Sequence, residues 1–133
     1  MDSRLRNAVR RRANDRCEYC HLSADHERFH PFHAEHIVAR QHGGKDELEN
    51  LAWACHHCNL HKGPNLTGID PDSGKVRRLF HPRRDRWEDH FAVEGPRIVG
   101  RTPLGRTTVW VLQMDAAERV ALRRWLIALG EWE

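Results

Sequence analysis

The sequence predicts an α+β fold: a small metal-held core, then short antiparallel strands and a final helix. Two Cys-x-x-Cys pairs, at residues 17–20 and 55–58, bracket 34 residues that contain two strand-like stretches. Further β-type stretches follow between residues 76 and 113, and a helical apolar spacing starts after Asp115. A chain of 133 residues is long enough for a modest core and makes one domain the default.

The composition is that of a folded chain with clustered positive charge. Hydrophobic residues make up 39% and there are five Trp, which argues against disorder. Residues 1–16 carry six Arg against two Asp, although the net charge is only +3. Such clusters suit the binding of a polyanion. The alternative is that the arginines are ordinary solvated surface charges. No secretory signal and no apolar run of about 20 residues is seen, so we expect a cytoplasmic protein without a membrane partner.

The first half is predicted to fold as a helix followed by a ββα unit. Ser3 is the expected N-cap of the first helix, whose arginines could lie along a phosphate backbone or simply face solvent. The strands are joined by a loop that turns at Gly43 and Gly44, and Gly63 with Pro64 ends the helix after them. The predicted elements lie at residues 3–14, 32–38, 51–54 and 55–62.

The second half is predicted from β-formers and from one capped helix. The strands are expected at residues 76–80, 91–94, 97–100 and 107–113. Asp115 with Glu118 resembles a capping box, and the helix it opens should run to about Leu129 as a core-packing helix. We place the core with its basic helix at residues 1–66 and the extension at 67–133, packed on the core as one domain.

The four cysteines predict a structural zinc site. In a reducing cytosol, two Cys-x-x-Cys pairs are more typical of zinc ligands than of disulfides, and a redox dithiol is the alternative. Four thiolates make a closed tetrahedral site without an open position, so the ion should hold the fold and take no part in catalysis. The ligands would be Cys17, Cys20, Cys55 and Cys58.

Residues of about 15–63 resemble the HNH endonuclease family, which has the ββα-metal fold. The matching parts between the cysteine pairs are an acidic-His-Ile run at Glu35, the Gly-Gly turn, and Asn50 followed by Leu. The second pair continues as Cys-x-x-Cys-Asn-x-x-Lys-Gly, from Cys55 to Gly63. Each part alone is weak, and their combination is highly specific for the subtype with a four-cysteine zinc site.

The resemblance implies a role for each matching residue. His36 is expected to be the general base that deprotonates the attacking water, and Asn50 to hold the backbone and ring of His36. Glu35, where the family more often has Asp, and Asn59 are expected to bind the catalytic divalent ion. Mg²⁺, Mn²⁺ or another hard cation would suit a carboxylate and an amide oxygen and would stabilise charge on the phosphoryl oxygens.

The function expected from these residues is hydrolysis of DNA phosphodiester bonds, with 5′-phosphate and 3′-hydroxyl products. His33, His61 and Lys62 are candidates for phosphate or DNA contacts. The alternative is a non-catalytic zinc-held module that binds nucleic acid through its arginines. A single site cuts one strand, so double-strand cleavage would need a homodimer or two encounters, and the sequence leaves both open.

Overall fold

The computed structural model describes residues 1–132. They form two compact units: unit 1 is Met1–Leu66 with His81–Asp85, and unit 2 is Thr67–Phe80 with the chain from Arg86 onward. Both units combine helices with short antiparallel strand pairs, which confirms the α+β class.

Unit 1 contains the predicted ββα order. Strands β1 and β2 pair antiparallel, with Glu35 opposite Ala52 and His36 opposite Leu51. All four residues of β2 are buried, which explains why this strand is apolar throughout. The elements are α1 (Ser3–Arg12), β1 (His33–His36), β2 (Leu51–Ala54) and α2 (His56–Lys62).

Helix α1 packs on the hairpin through its arginines as well as through Val9. Asp2, not the expected Ser3, caps the helix, because its carboxylate accepts a hydrogen bond from Arg4 N at 2.6 Å. Arg6 donates to Phe32 O at 3.1 Å, and Arg12 donates to Leu51 O at 2.5 Å. These two arginines are therefore committed to backbone carbonyls of the hairpin, in contrast to the expectation that α1 only lies on phosphate or faces solvent.

Unit 2 contains two hairpins and three helices within the described residues. The pairs are β3 with β4 and β5 with β6, and the predicted final helix is confirmed as α5. The elements are β3 (Thr67–Ile69), β4 (Val76–Arg78), α3 (Trp87–His90), β5 (Phe91–Glu94), β6 (Arg97–Gly100), α4 (Pro103–Val111) and α5 (Ala117–Ala128).

The strand expected at residues 107–113 is wrong, because most of this run lies in helix α4 (Pro103–Val111). Thr102 caps the helix and proline stands at its first position, a start signal that outweighs the β-formers after it. Inside the helix, the hydroxyls of Thr107 and Thr108 donate to carbonyls one turn earlier, at 2.7 and 2.8 Å. These buried hydroxyls are thus satisfied without a strand partner.

Two glycines allow β6 and α4 to approach each other closely. A Cβ on Gly100 would lie 2.3 Å from Arg106 N, and one on Gly105 would lie 3.3 Å from Gly100 Cα and 2.0 Å from His90 O at the end of α3. Neither position has room for a side chain. This packing stabilises the helix, and local β-propensity cannot reveal it.

Candidate active site and metal centre

The four cysteines converge at one end of the ββα unit. All are buried, and their Sγ atoms lie within 4.8 Å of one another, with 3.7 Å between Cys20 and Cys55. In a tetrahedral site with Zn–S bonds of about 2.3 Å, the sulfurs lie about 3.8 Å apart. Backbone N–H groups of Cys20 and Cys58 donate to Cys17 Sγ and Cys55 Sγ, each at 3.4 Å. The donor set and spacing fit a zinc ion.

The buried environment of the cysteines favours neutral thiols, so their ionised form needs a bound cation. Burial, followed by hydrogen bonds with Cys20 and Cys55, raises the pKa of the Cys17 thiol well above its usual value. Hydrogen bonds, first of all with Cys17, likewise raise the pKa of Cys58. Ligation requires thiolates, so zinc binding must displace protons here and should weaken as the pH falls.

His36 ends β1 and contacts a carboxylate that the sequence did not single out. Its Nε2 lies 2.6 Å from Asp46 Oδ1. Arg40 holds the same carboxylate through both oxygens, with Nη2 at 3.0 and 2.9 Å. The hydrogen bond with His36, followed by that with Arg40, lowers the pKa of Asp46 and keeps it charged. Asp46 follows the Gly-Gly turn, and only the closed loop brings it back to the strand end.

Asn50 closes that loop. Its Oδ1 accepts from Val38 N at 2.9 Å, and its Nδ2 donates to Val38 O and Lys45 O, each at 3.0 Å. The amide was expected to hold the backbone and ring of His36, and it instead bonds the backbone two residues further on. A Cβ on Gly44 would lie 1.7 Å from Val38 O, so the turn requires glycine. Asn50 thus acts on His36 through the loop that carries Asp46.

Glu35 and Lys62 form a buried ion pair between β1 and α2. Lys62 Nζ lies 2.6 Å from Glu35 Oε1, and the two side chains are 2% and 4% exposed. Lys62 also donates to Ile37 O at 2.9 Å, and Tyr19 donates its hydroxyl to Glu35 Oε2 at 2.7 Å. Burial raises the pKa of Glu35, against the opposing effect of Lys62. Contrary to the expectation, Lys62 is not available to contact a phosphate, because α2 packs it against β1.

A cleft of about 530 Å³, called the His36 cleft below, brings three of the predicted residues together. Its lining includes Glu35 and His36 from β1, Asn59 from α2, and Arg40 from the loop. Carboxylate and amide oxygens are the donor types that Mg²⁺ and Mn²⁺ prefer, so the chemistry of the set fits a hard divalent ion. The charge of Glu35 is already balanced by Lys62, which should make such a site weak.

The other two candidate contacts lie outside the lining of the cleft. His33 stands at the opposite end of β1, where its Nε2 is 3.1 Å from His56 Nδ1. Burial, followed by the neighbouring His56, lowers the pKa of His33. His61 is exposed on α2, with its ring centroid 4.3 Å from that of His57. Of the two, His61 has the exposure that a phosphate contact needs.

Comparison with known proteins gives one match. Residues 17–65 match the family model described as HNH endonuclease. This segment is therefore similar to the HNH endonuclease family. The resemblance is thereby confirmed, and the family implies a nucleic-acid substrate and a nuclease-type function. The chain matches no curated protein and no solved structure significantly.

No helix within residues 1–132 is long and apolar enough to cross a membrane.

Replacing Lys62 with Met should strongly destabilise unit 1. The change leaves Glu35 buried without its charge partner, and breaking one side of a buried pair costs about 3–5 kcal/mol. Urea unfolding of the zinc-loaded protein, followed by circular dichroism, measures the shift. The matched control is Lys45→Met, since Lys45 is exposed in the same unit. Equal midpoints for the two variants would show that the pair is not structural.

Proposed function

We propose that the chain is a metal-dependent HNH endonuclease that hydrolyses DNA phosphodiester bonds in the His36 cleft. The observation that carries the proposal is His36, which lines the cleft and is held at 2.6 Å by Asp46 within the segment that matches the HNH family model. A histidine fixed by a carboxylate is an arrangement suited to proton transfer.

His36 acts as the general base in this proposal. Donation of its Nε2–H to Asp46 selects the tautomer in which Nδ1 keeps its lone pair. That nitrogen can take a proton from the attacking water. Asp46 then faces the imidazolium that forms and stabilises its charge, while Arg40 keeps the carboxylate ionised and in place. Asn50 contributes by closing the loop from which Arg40 and Asp46 project.

Glu35 and Asn59 are the residues that would hold the divalent ion. A bound ion of this kind stabilises the negative charge that develops on the phosphoryl and leaving oxygens. Asn59 offers a neutral oxygen donor from α2, and Glu35 offers a carboxylate that Lys62 and Tyr19 already orient. Because Lys62 balances the charge of Glu35, we expect cleavage to require an excess of Mg²⁺ or Mn²⁺.

Plasmid cleavage tests the proposal. Zinc-loaded protein is incubated with supercoiled DNA, with Mg²⁺, with Mn²⁺ and without added divalent ion. Nicked and then linear DNA should appear only with the ion, and ligase should reseal the nicks if they carry 5′-phosphate and 3′-hydroxyl ends. Salt-sensitive binding without cleavage in either ion would overturn the proposal and support the non-catalytic nucleic-acid-binding module.

Asp46→Asn should lower the cleavage rate about 10- to 100-fold, because a hydrogen bond to a charged group contributes about 1.5–3 kcal/mol. Affinity for DNA should stay the same, since Asp46 acts through His36. Single-turnover rates and fluorescence anisotropy separate the two effects. The neighbouring Glu47→Gln, a change at an exposed position, is the control and should leave both values unchanged. A loss of binding with an unaltered rate would argue against a positioning role.

A further inference from the structure

Three histidines meet at the end of β1 that lies away from His36. His33 Nε2 is 3.1 Å from His56 Nδ1, and the rings of these two residues are tilted with centroids 5.4 Å apart. His30 stacks on His56, with centroids 4.1 Å apart and planes at 20°. This group takes no part in the proposed nuclease chemistry.

The separation of the two nitrogens suits a shared metal ion. Two imidazoles that bind zinc at about 2.0–2.1 Å have nitrogens about 2.9 Å apart at a right angle and about 3.3 Å apart at the tetrahedral angle. The observed 3.1 Å lies between these limits. The distance between the two nitrogens therefore already matches that in a chelated ion, and without metal the same contact is a hydrogen bond between the rings.

Both histidines of the pair lie in regular secondary structure. His33 is paired with Ala54 in the hairpin, directly before the second cysteine pair. His56 is the first residue of α2, next to Cys55, whose Sγ accepts the N–H of Cys58. Two fixed backbones thus present the pair, so little conformational entropy would be lost on binding.

The pair offers two ligands. Within residues 1–132, the four cysteines are the one group in which three or more donor atoms converge, so the donors of His30 are not part of the pair. The stacked ring of His30 instead shields one side of His56. Water would complete the coordination. Imidazole ligands select Zn²⁺, Ni²⁺ and Cu²⁺ over Mg²⁺.

We propose that His33 and His56 form a second, transition-metal site, separate from the four-cysteine cluster and from the His36 cleft. The site takes borderline ions such as Ni²⁺ or Zn²⁺ through one nitrogen of each ring. It does not depend on the nuclease proposal, because neither ring lines the cleft.

Calorimetric titration of the protein loaded with one zinc per chain tests the site, with Ni²⁺ as the probe. The wild type should bind Ni²⁺ while it keeps its zinc. His33→Asn and His56→Asn should each lose at least tenfold in affinity, with unchanged zinc content and melting temperature. Two separate variants are used so that one unstable protein does not decide the outcome.

The matched control is the double variant His57→Asn/His61→Asn. It removes the other histidine pair of α2, whose centroids are 4.3 Å apart, and should leave the Ni²⁺ affinity unchanged. The proposal fails if the wild type takes up no Ni²⁺. It also fails if His33→Asn and His56→Asn both bind Ni²⁺ as tightly as the wild type does.

Discussion

Cys58→Ser should leave unit 1 unfolded at room temperature. Structural zinc contributes about 10–16 kcal/mol in small zinc domains, which is comparable to the whole stability of about 5–15 kcal/mol that a domain has. The elements that depend on it are short: β1 and β2 have four residues each, and α2 has seven. Zinc content by mass spectrometry and thermal melting by circular dichroism measure the loss.

The control for this experiment lies on the same helix. Leu60 is 64% exposed on α2, so Leu60→Ala should keep the zinc and melt like the wild type. Adding a zinc chelator to the wild type should reproduce the Cys58→Ser result. A Cys58→Ser protein with the wild-type melting curve would mean that the cluster does not hold unit 1 together.

His36→Ala should reduce the rate of DNA cleavage about 10²–10⁴-fold, the usual contribution of a general base. The fold should survive, because His36 lies at the end of β1 and partly faces the cleft. Binding to DNA should also survive, since the basic side chains elsewhere remain. Single-turnover cleavage in Mg²⁺ gives the rate, and anisotropy with a labelled duplex gives the affinity.

His42→Ala is the matched control for His36→Ala. His42 is exposed in the loop that follows β1, and the expected rate for this variant is that of the wild type. If both histidine variants lose activity together, the effect is on the loop rather than on proton transfer. If both variants instead cleave DNA at the wild-type rate, His36 has no role in catalysis.

Local signals were enough to predict the strand-loop-strand-helix order. Turn glycines and the cysteine pairs fix where β2 and α2 begin, and Gly44 is required by the backbone next to Val38. The cysteine cluster was predictable as well, because thiolate ligands leave a spacing pattern in the sequence. These features depend on residues within a few positions of each other or on chemistry specific to one residue type.

Long-range partners were not predictable from the sequence. Asp46 lies ten residues after His36 and meets it only because Asn50 closes the loop. Lys62 was predicted as a candidate contact to phosphate, and the packing of α2 on β1 turns it toward Glu35. Helix α4 (Pro103–Val111) has β-forming residues, and its packing against β6 outweighs their propensity.

Chemical rescue of His36→Ala tests the central claim most directly. The variant is assayed for plasmid cleavage in Mg²⁺ with increasing imidazole, at several pH values and with zinc content held constant. A general base at this position predicts that cleavage returns in proportion to the neutral form of imidazole, and that His42→Ala gains nothing. Cleavage by His36→Ala at the wild-type rate, without imidazole, would contradict the assignment of His36 as the base.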